Sequence, residues 1–184
     1  MAIPTSSQTI GPFFRAALER PAWSDLTREG VAGEGVRIEG TVYDGDRAPV
    51  PDALLELWQA DANGSYTHAD GRFHGFGRAC TDHDGRFWFR TIVPGPVPGA
   101  NGAVQAPHAN LTIFARGLLK RLITRIYFGD HAEENVRDPL LASIEDAAVR
   151  ATLIAPRTEH AGGIPVYTFD VVLQGAGETA FLAI

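Results

Sequence analysis

Apolar and polar residues alternate over several short stretches of this 184-residue chain. In residues 36–42 (VRIEGTV), Val36, Ile38 and Val42 fall on one side of an extended backbone, which is the pattern of a half-buried strand. Further stretches rich in β-branched and aromatic residues are 53–59, 86–93, 110–115, 122–128 and 166–173. Because turn residues at 44–52 separate the first two stretches, the sequence predicts a long hairpin between them.

Two regions depart from this strand pattern. Residues 138–154 repeat apolar positions at helical spacing and start with Pro139, so we expect one or two short helices in a connection. Residues 1–35 contain turn residues, the run 9–14 (TIGPFF) and a brief helical stretch near 14–19. We therefore predict a single all-β domain, residues 1–184, folded as a two-layer β-sandwich. Its N-terminal arm, residues 1–35, is expected to pack on a partner subunit.

Composition narrows the kinds of partner and compartment. Hydrophobic residues make up 45% of the chain and charged residues 21%, and no apolar run approaches the ~18 residues of a membrane span. The net charge of -6 and the scattered arginines argue against nucleic acid. Cys80 is the only cysteine, which excludes an internal disulfide. Residues 1–5 (MAIPT) have neither the basic flank nor the apolar run of a targeting segment. We expect a soluble cytoplasmic protein without membrane contact.

The order of several segments resembles the intradiol ring-cleavage dioxygenases over nearly the whole chain. These segments are 7–14 (SQTIGPFF), 55–66 (LELWQADANGSY), 76–78 (FGR), 91–95 (TIVPG), 106–110 (APHAN), 114–117 (FARG), 124–128 (TRIYF) and 174–181 (QGAGETAF). Each segment is weak evidence alone, whereas their joint order and spacing are specific. The resemblance implies a ferric iron centre and the cleavage of catechols with O2.

Iron-holding members of that family use two tyrosines and two histidines, at positions that correspond here to Tyr66, Val97, His108 and Asn110. Phenolate oxygen suits the hard ferric ion, and residues i and i+2 of a strand can face one metal. Val97 has no donor atom, and the neutral amide of Asn110 replaces imidazole poorly. We predict that the chain binds no metal, has no catalytic residue of its own, and keeps Tyr66 and His108 as relics bonded to each other or to water.

In family members built from two homologous chains, an iron-free α chain lends residues to the site of the β chain. The resemblance therefore implies that Thr9, Gly11, Pro12 and Arg116 line the partner's substrate pocket in trans. It also implies Fe(III) held by the β subunit, O2 and protocatechuate (3,4-dihydroxybenzoate) as substrates, and a high-order hetero-oligomer. Arg116 has an independent argument, because a guanidinium is always charged and its planar donors suit a carboxylate. On an unbroken strand it would share the side of His108 and Asn110 and face the cleft.

Three functional hypotheses remain open. The chain is an enzyme subunit acting in trans, a β-sandwich binding module without a catalytic role, or an independent dioxygenase with an altered metal site. Iron in the purified lone chain would favour the third hypothesis. Association with a homologue that keeps both tyrosines and both histidines distinguishes the first from the second. For Arg116, the alternative is an ordinary solvated surface residue.

Overall fold

Strands dominate the computed structural model, which describes residues 4–11, 13–27, 31–67, 73–159 and 163–183. The strands of the described residues are β1 Gly35–Tyr43, β2 Leu54–Gln59, β3 Phe76–Cys80, β4 Arg86–Ile92, β5 Val97–Pro98, β6 Val104–Gln105, β7 His108–Phe114, β8 Leu122–Phe128, β9 Ile154–Ala155, β10 Arg157–Glu159, β11 Pro165–Thr168 and β12 Val171–Val172. The helices are α1 Phe13–Leu18, α2 Ala132–Arg137, α3 Pro139–Ser143 and α4 Ala147–Ala151, with short 3-10 helices at Pro21–Ser24 and Ala100–Gly102.

Two five-stranded sheets form the layers. In the first sheet β1 is central, antiparallel to β4 on one edge and parallel to β11 and β12 on the other, with β10 beyond β11. The second sheet has the order β3-β2-β7-β8-β9. A separate two-stranded ribbon pairs β5 with β6. This arrangement confirms the predicted all-β sandwich.

One continuous apolar core joins the two sheets. Val36, Ile38 and Val42 of β1 are fully buried, as their alternation predicted. They belong to the same cluster as Phe89 of the first sheet and Leu111 of the second. Burial of each large apolar side chain contributes about 1.5–3 kcal/mol. The core therefore provides the main force that holds the two layers together.

The predicted hairpin between the first two strands is wrong. β1 and β2 lie in different sheets, and the connection between them crosses from one layer to the other. Both edges of β1 are already taken by β4, β11 and β12, so β2 pairs with β3 and β7 instead. Alternation of apolar and polar residues shows which face of a strand is buried. It does not show which strand is the neighbour, because β1 would bury the same face whether it paired with β2 or with β4.

The connection after β8 contains three short helices, one more than predicted. Asp138 and Asp146 cap α3 and α4 by accepting hydrogen bonds from backbone N–H groups of the first turn. The additional helix, α2, has only Asn135 buried and therefore lacks the apolar stripe that periodicity detects. Within the described residues, no helix is long and apolar enough to cross a membrane.

Part of the N-terminal arm packs on its own chain. The ring of Phe14 on α1 lies 5.5 Å from that of Phe114 at the end of β7. Gln8 and Ile10 line a small groove together with Leu118 of the loop that follows β7. These contacts fix the arm beside the β7–β8 loop. Packing of the arm on a partner subunit stays a prediction.

Candidate functional site

Of the four positions that correspond to metal ligands, His108 and Asn110 lie on β7 of the second sheet, Tyr66 lies in a loop, and Val97 lies on the separate β5–β6 ribbon. Asn110 on β7 donates a hydrogen bond from Nδ2 to the Tyr66 hydroxyl, at 3.2 Å. His108 precedes Asn110 by two residues on the same strand and faces the same way. Val97 on β5 is buried and pairs with Gln105 of β6. The structure therefore joins Tyr66 and Asn110 directly, and their correspondence to metal ligands stays a prediction.

A close backbone approach brings the loop of Tyr66 against the loop of Val97. Gly64 has a φ of +77°, and a Cβ atom there would lie 2.0 Å from the carbonyl oxygen of Pro96. Gly95 N donates to the Asp61 carbonyl oxygen at 2.9 Å and ties the same two loops. Only glycine fits at position 64, so this residue fixes the width of the cleft.

His108 keeps the orientation that a metal-binding histidine would need. Its ring is 1% exposed, and Nδ1 lies 2.7 Å from the carbonyl oxygen of Ala106. Because a carbonyl only accepts hydrogen bonds, the proton is on Nδ1, and Nε2 carries the lone pair with which a histidine can bind a metal. Burial, helped by the nearby positive charge of Arg125, lowers the pKa of His108 to about 4. The ring is therefore neutral at neutral pH.

Tyr66 is a neutral phenol in this cleft. Its ring stacks on Trp58 with centroids 5.8 Å apart. Burial raises the pKa of its hydroxyl above the ordinary value, although the Asn110 hydrogen bond and the charge of Arg125 oppose that shift. Tyr66 and His108 thus have separate protein partners, Asn110 and the Ala106 carbonyl, and do not bond to each other as one sequence hypothesis had it.

Arg125 of β8 occupies the middle of the cleft. Trp58, Asn110 and Arg125 are cross-strand neighbours in one row on three adjacent strands. Arg125 Nε donates to Asn110 Oδ1 at 3.0 Å, and Nη1 donates to Gln105 Oε1 at 2.7 Å. A third, longer contact of 3.4 Å reaches the Tyr127 hydroxyl. Within the described ranges, the hydrogen-bond acceptors of Arg125 are all neutral.

A buried carboxylate supports this network from behind. Asp138 is fully buried and accepts a hydrogen bond from the Tyr127 hydroxyl at 2.9 Å. Its other oxygen accepts from the Ala106 amide, also at 2.9 Å. Burial raises the pKa of Tyr127, so this residue remains a hydrogen-bond donor. Asp138 therefore links the helical connection to the floor of the cleft through β8 and the segment before β7.

A groove of about 650 Å³ lies beside Arg125. Gln105 and Arg125 lie at one side of the groove. The opposite wall consists of apolar residues from α3, α4 and the C-terminal segment, namely Leu140, Ile144, Val149, Phe181 and Leu182. The polar side of this groove therefore presents the guanidinium group of Arg125 and not a set of metal-binding atoms.

These residues do not fit the ferric ion that the family resemblance implies. Tyr66 and His108 offer two suitable donor atoms, whereas the side chain of Val97 has none and the amide oxygen of Asn110 already accepts from Arg125. A permanent positive charge in the same network repels a metal cation. Among the described residues, no group of three or more His, Cys, Asp or Glu side chains is placed to hold a metal.

The residues predicted to act in trans lie at the other end of β7. The strand ends at Phe114, and Arg116 lies in the turn that follows, so it does not share the strand face of His108 and Asn110. At about 3.4 Å per residue, Arg116 is on the order of 15–20 Å from Asn110. The expectation that Arg116 shares the strand face of His108 and Asn110 is wrong, because it required a strand that continues past Phe114.

The arm and the Arg116 turn form one surface. Leu118 N donates to the Ala115 carbonyl oxygen at 3.3 Å, and Gly117 has a φ of +86°, which is the geometry of a type II turn. Gly117 N donates to Thr9 Oγ1 at 2.8 Å. This hydrogen bond ties Thr9 to the turn that contains Arg116, and their role in a partner's pocket stays a prediction.

The remaining predicted arm residues follow Thr9 in the sequence. Gly11 is exposed, and its carbonyl oxygen accepts from Phe14 N at 3.1 Å at the start of α1. Pro12 lies outside the described residues. The Phe13 side chain is 83% exposed, which leaves an aromatic ring on the surface.

An acidic residue that the sequence had not singled out faces Arg116. Asp52 Oδ2 lies 2.9 Å from Arg116 Nε, while the Arg116 side chain stays 61% exposed. Arg125 was also missed as a site residue, although it lies within the segment 124–128 used for the resemblance. A charged residue in the middle of an apolar strand was the available signal for Arg125. No comparable signal pointed to Asp52.

Comparison with known proteins gives consistent matches. A family model described as Dioxygenase matches residues 11–175. The protocatechuate 3,4-dioxygenase alpha chain of Pseudomonas putida is 41% identical over 191 residues, covering 96% of this chain and 94% of the relative. The corresponding beta chain of Burkholderia cepacia is 34% identical, with coverage of 91% and 78%. The dioxygenase domain of a carbohydrate-binding fusion from Streptomyces sp. SirexAA-E superposes with a TM-score of 0.64 at 30% identity, covering 95% of this chain and 100% of that chain.

Proposed function

Because this chain belongs to the intradiol dioxygenase family, we propose that it is the iron-free α subunit of a heteromeric protocatechuate 3,4-dioxygenase. The assembled enzyme inserts both atoms of O2 between the two hydroxyl-bearing carbons of 3,4-dihydroxybenzoate and forms 3-carboxy-cis,cis-muconate. A homologous β subunit holds Fe(III) and completes the active site. The assembly is a high-order hetero-oligomer, and the single cysteine fits a reducing cytoplasm.

The observation that carries this proposal is the cation in the cleft. Arg125 is bonded to Asn110, which is bonded to Tyr66, so a permanent cation lies among the residues that would otherwise hold a metal. A chain of this family without a metal site contributes to turnover only through a second chain. The similarity to both alpha and beta chains of one enzyme supports that pairing.

The contribution of this chain to the partner's pocket is charge and positioning. Arg116 is exposed at the far end of β7, which prevents it from acting on its own cleft and leaves it accessible to another subunit. Its guanidinium is suited to the carboxylate that distinguishes 3,4-dihydroxybenzoate from catechol. Thr9 is bonded to the same turn, and we expect Gly11 and Pro12 to line the partner's pocket together with it. The protein's role in catalysis here is to orient the substrate.

Steady-state kinetics of the co-expressed two-chain enzyme test this function. The Arg116→Ala variant is expected to raise KM for 3,4-dihydroxybenzoate by about 10-fold, as loss of a charge-assisted hydrogen bond of about 1.5–3 kcal/mol predicts. Turnover of catechol, which has no carboxylate, should change little because the lost interaction is specific to that group.

Arg90→Ala is the matched control, because Arg90 is also exposed and also faces an aspartate, Asp25, at 3.7 Å. It lies on the first sheet, and we expect it to leave both substrates unaffected. Equal kinetics for Arg116→Ala and the unmodified enzyme would contradict the role of Arg116 in trans. Failure of the chain to co-purify with any iron-holding homologue would favour a binding module instead.

A further inference from the structure

We propose that Asp52 is a positioning residue for Arg116, holding its guanidinium so that the terminal nitrogens are presented to the substrate carboxylate in the partner's pocket. This inference rests on the proposed function, because it assumes that Arg116 binds substrate in trans. It adds a second residue of this chain to the recognition of the carboxylate.

The geometry of the ion pair supports such an anchoring role. Asp52 Oδ2 is 2.9 Å from Nε, the nitrogen nearest the aliphatic stem of Arg116. Within the described residues, no other acidic side chain pairs with Arg116. An arginine held at Nε retains Nη1 and Nη2, which bind the two oxygens of a carboxylate side by side. Asp52 thus restrains the long side chain without using the nitrogens needed for recognition.

Asp52 is mostly buried and has one unsatisfied oxygen. Its side chain is 27% exposed, and its second oxygen, Oδ1, is buried without a hydrogen-bond partner in the described part of the chain. A buried carboxylate oxygen that accepts no hydrogen bond is unfavourable for folding. Fold stability therefore gives no reason for a carboxylate at this position, whereas its pairing with an exposed arginine does.

The backbone on both sides of the pair is fixed as well. Asp52 has a φ of +65°, a conformation that aspartate and asparagine tolerate better than other non-glycine residues. Arg116 lies in the turn closed by Leu118 N and the Ala115 carbonyl oxygen, and this turn is tied to the arm by Gly117 and Thr9. Because the backbone is restrained at both residues, only the side chain of Arg116 still has to be oriented.

The direction in which KM changes in one variant distinguishes a positioning role of Asp52 from a purely electrostatic effect. Asp52→Asn removes a negative charge next to Arg116, and by electrostatics alone this change would attract the substrate carboxylate and lower KM. If Asp52 positions Arg116, the same change raises KM, because the guanidinium samples more conformations before binding. Asparagine matches the size of aspartate and tolerates the positive φ, so the fold is retained.

The experiment measures KM and kcat of the co-expressed two-chain enzyme for 3,4-dihydroxybenzoate and for catechol. For Asp52→Asn we expect KM for 3,4-dihydroxybenzoate to rise about two- to fivefold, the range of an exposed ion pair, with kcat and catechol turnover unchanged. In the Asp52→Asn, Arg116→Ala double variant, KM should equal that of Arg116→Ala alone, since Asp52 acts only through Arg116.

Glu39→Gln is the control, because Glu39 pairs with Arg37 at 2.5 Å on the first sheet and is also partly exposed. An unchanged or lowered KM in Asp52→Asn, with KM raised in Arg116→Ala, overturns the positioning role and leaves the proposed function intact. If Arg116→Ala also leaves KM unchanged, the role of Arg116 in trans fails and the positioning role fails with it. Additive effects in the double variant would show that Asp52 acts independently of Arg116.

Discussion

Arg125 and Arg116 lie on or beside the same pair of strands, β7 and β8, but their surroundings are opposite. Arg125 is half-buried and donates to two neutral amide oxygens, those of Asn110 and Gln105. Arg116 is 61% exposed and pairs with one carboxylate, that of Asp52. One guanidinium is thus bound on several sides by its own chain, whereas the other is anchored at a single point.

This difference indicates what each end of the sheet does. A guanidinium whose N–H groups are already hydrogen-bonded stabilises the cleft and repels a cation. It therefore takes the place of a metal ion but supplies none of the metal's chemistry. A guanidinium with free donors on the surface is available to an anion. The chain has a cleft occupied by its own cation at one end of β7 and an exposed cation at the other end, where we propose that it acts in a partner's pocket.

The largest expected effect concerns metal binding in the cleft. Restoring both missing ligands with Val97→Tyr and Asn110→His should leave the chain without iron as long as Arg125 is present. Adding Arg125→Gln should raise the affinity for Fe(III) by at least about 100-fold, because relief of even about 3 kcal/mol of charge repulsion has that effect. Iron analysis and the visible phenolate-to-iron absorption band measure this difference.

Arg121→Gln in the same double variant is the control, since Arg121 is exposed and immediately precedes β8. We expect this control to bind no more iron than the double variant does. Stoichiometric iron in the unmodified lone chain would show that the cleft is an altered metal site, which contradicts the contrast between the two arginines.

The fold was largely predictable from the sequence, because alternation depends on which face of a strand is buried. Val36, Ile38 and Val42 were assigned correctly for that reason. The pairing of β1 was not predictable, because competition between strand edges depends on the assembled sheet. The additional helix α2 was missed because almost all of its side chains are exposed.

The candidate site was predictable where it depended on positions along the chain. Val97 and Asn110 were identified as substituted ligands from the resemblance alone. Arg125 was not, because its role depends on the cross-strand register that puts it opposite Asn110. The Asp52–Arg116 pair joins two turns from different parts of the chain, and no local pattern links them. Contacts between distant segments are the information that a single sequence lacks.

The second prediction concerns the pH dependence of stability, which should depend on the cleft and not on the Arg116 surface. The pKa of His108 is about 4 in the folded chain and near 6.5 when unfolded, so the unfolded chain takes up the proton first. The stabilisation is fully present above pH 6.5 and is lost as the pH falls towards 4. Urea unfolding should show a loss on the order of 3 kcal/mol over that range.

His108→Asn should remove this contribution to the pH dependence, because the amide nitrogen of asparagine can still donate to the Ala106 carbonyl oxygen but does not titrate in this range. His83→Gln, in an exposed turn, is the histidine control and should leave the pH dependence unchanged. If the free energy of unfolding depended on pH equally in His108→Asn and in the unmodified chain, the buried ring would not be the cause of this effect.

The smallest expected effect is on the free energy of unfolding at neutral pH, where substitution of Arg125 should cost more than substitution of Arg116. Arg125→Ala leaves the side-chain oxygens of Asn110 and Gln105 without their donor and should lower the free energy of unfolding by about 1–3 kcal/mol. Arg116→Ala removes an exposed ion pair and should change it by less than about 0.5 kcal/mol. Urea titration of the two variants measures both values. A larger loss for Arg116→Ala would mean that its pair with Asp52 holds the fold together, and the surface would then be structural instead of a site for a partner's substrate.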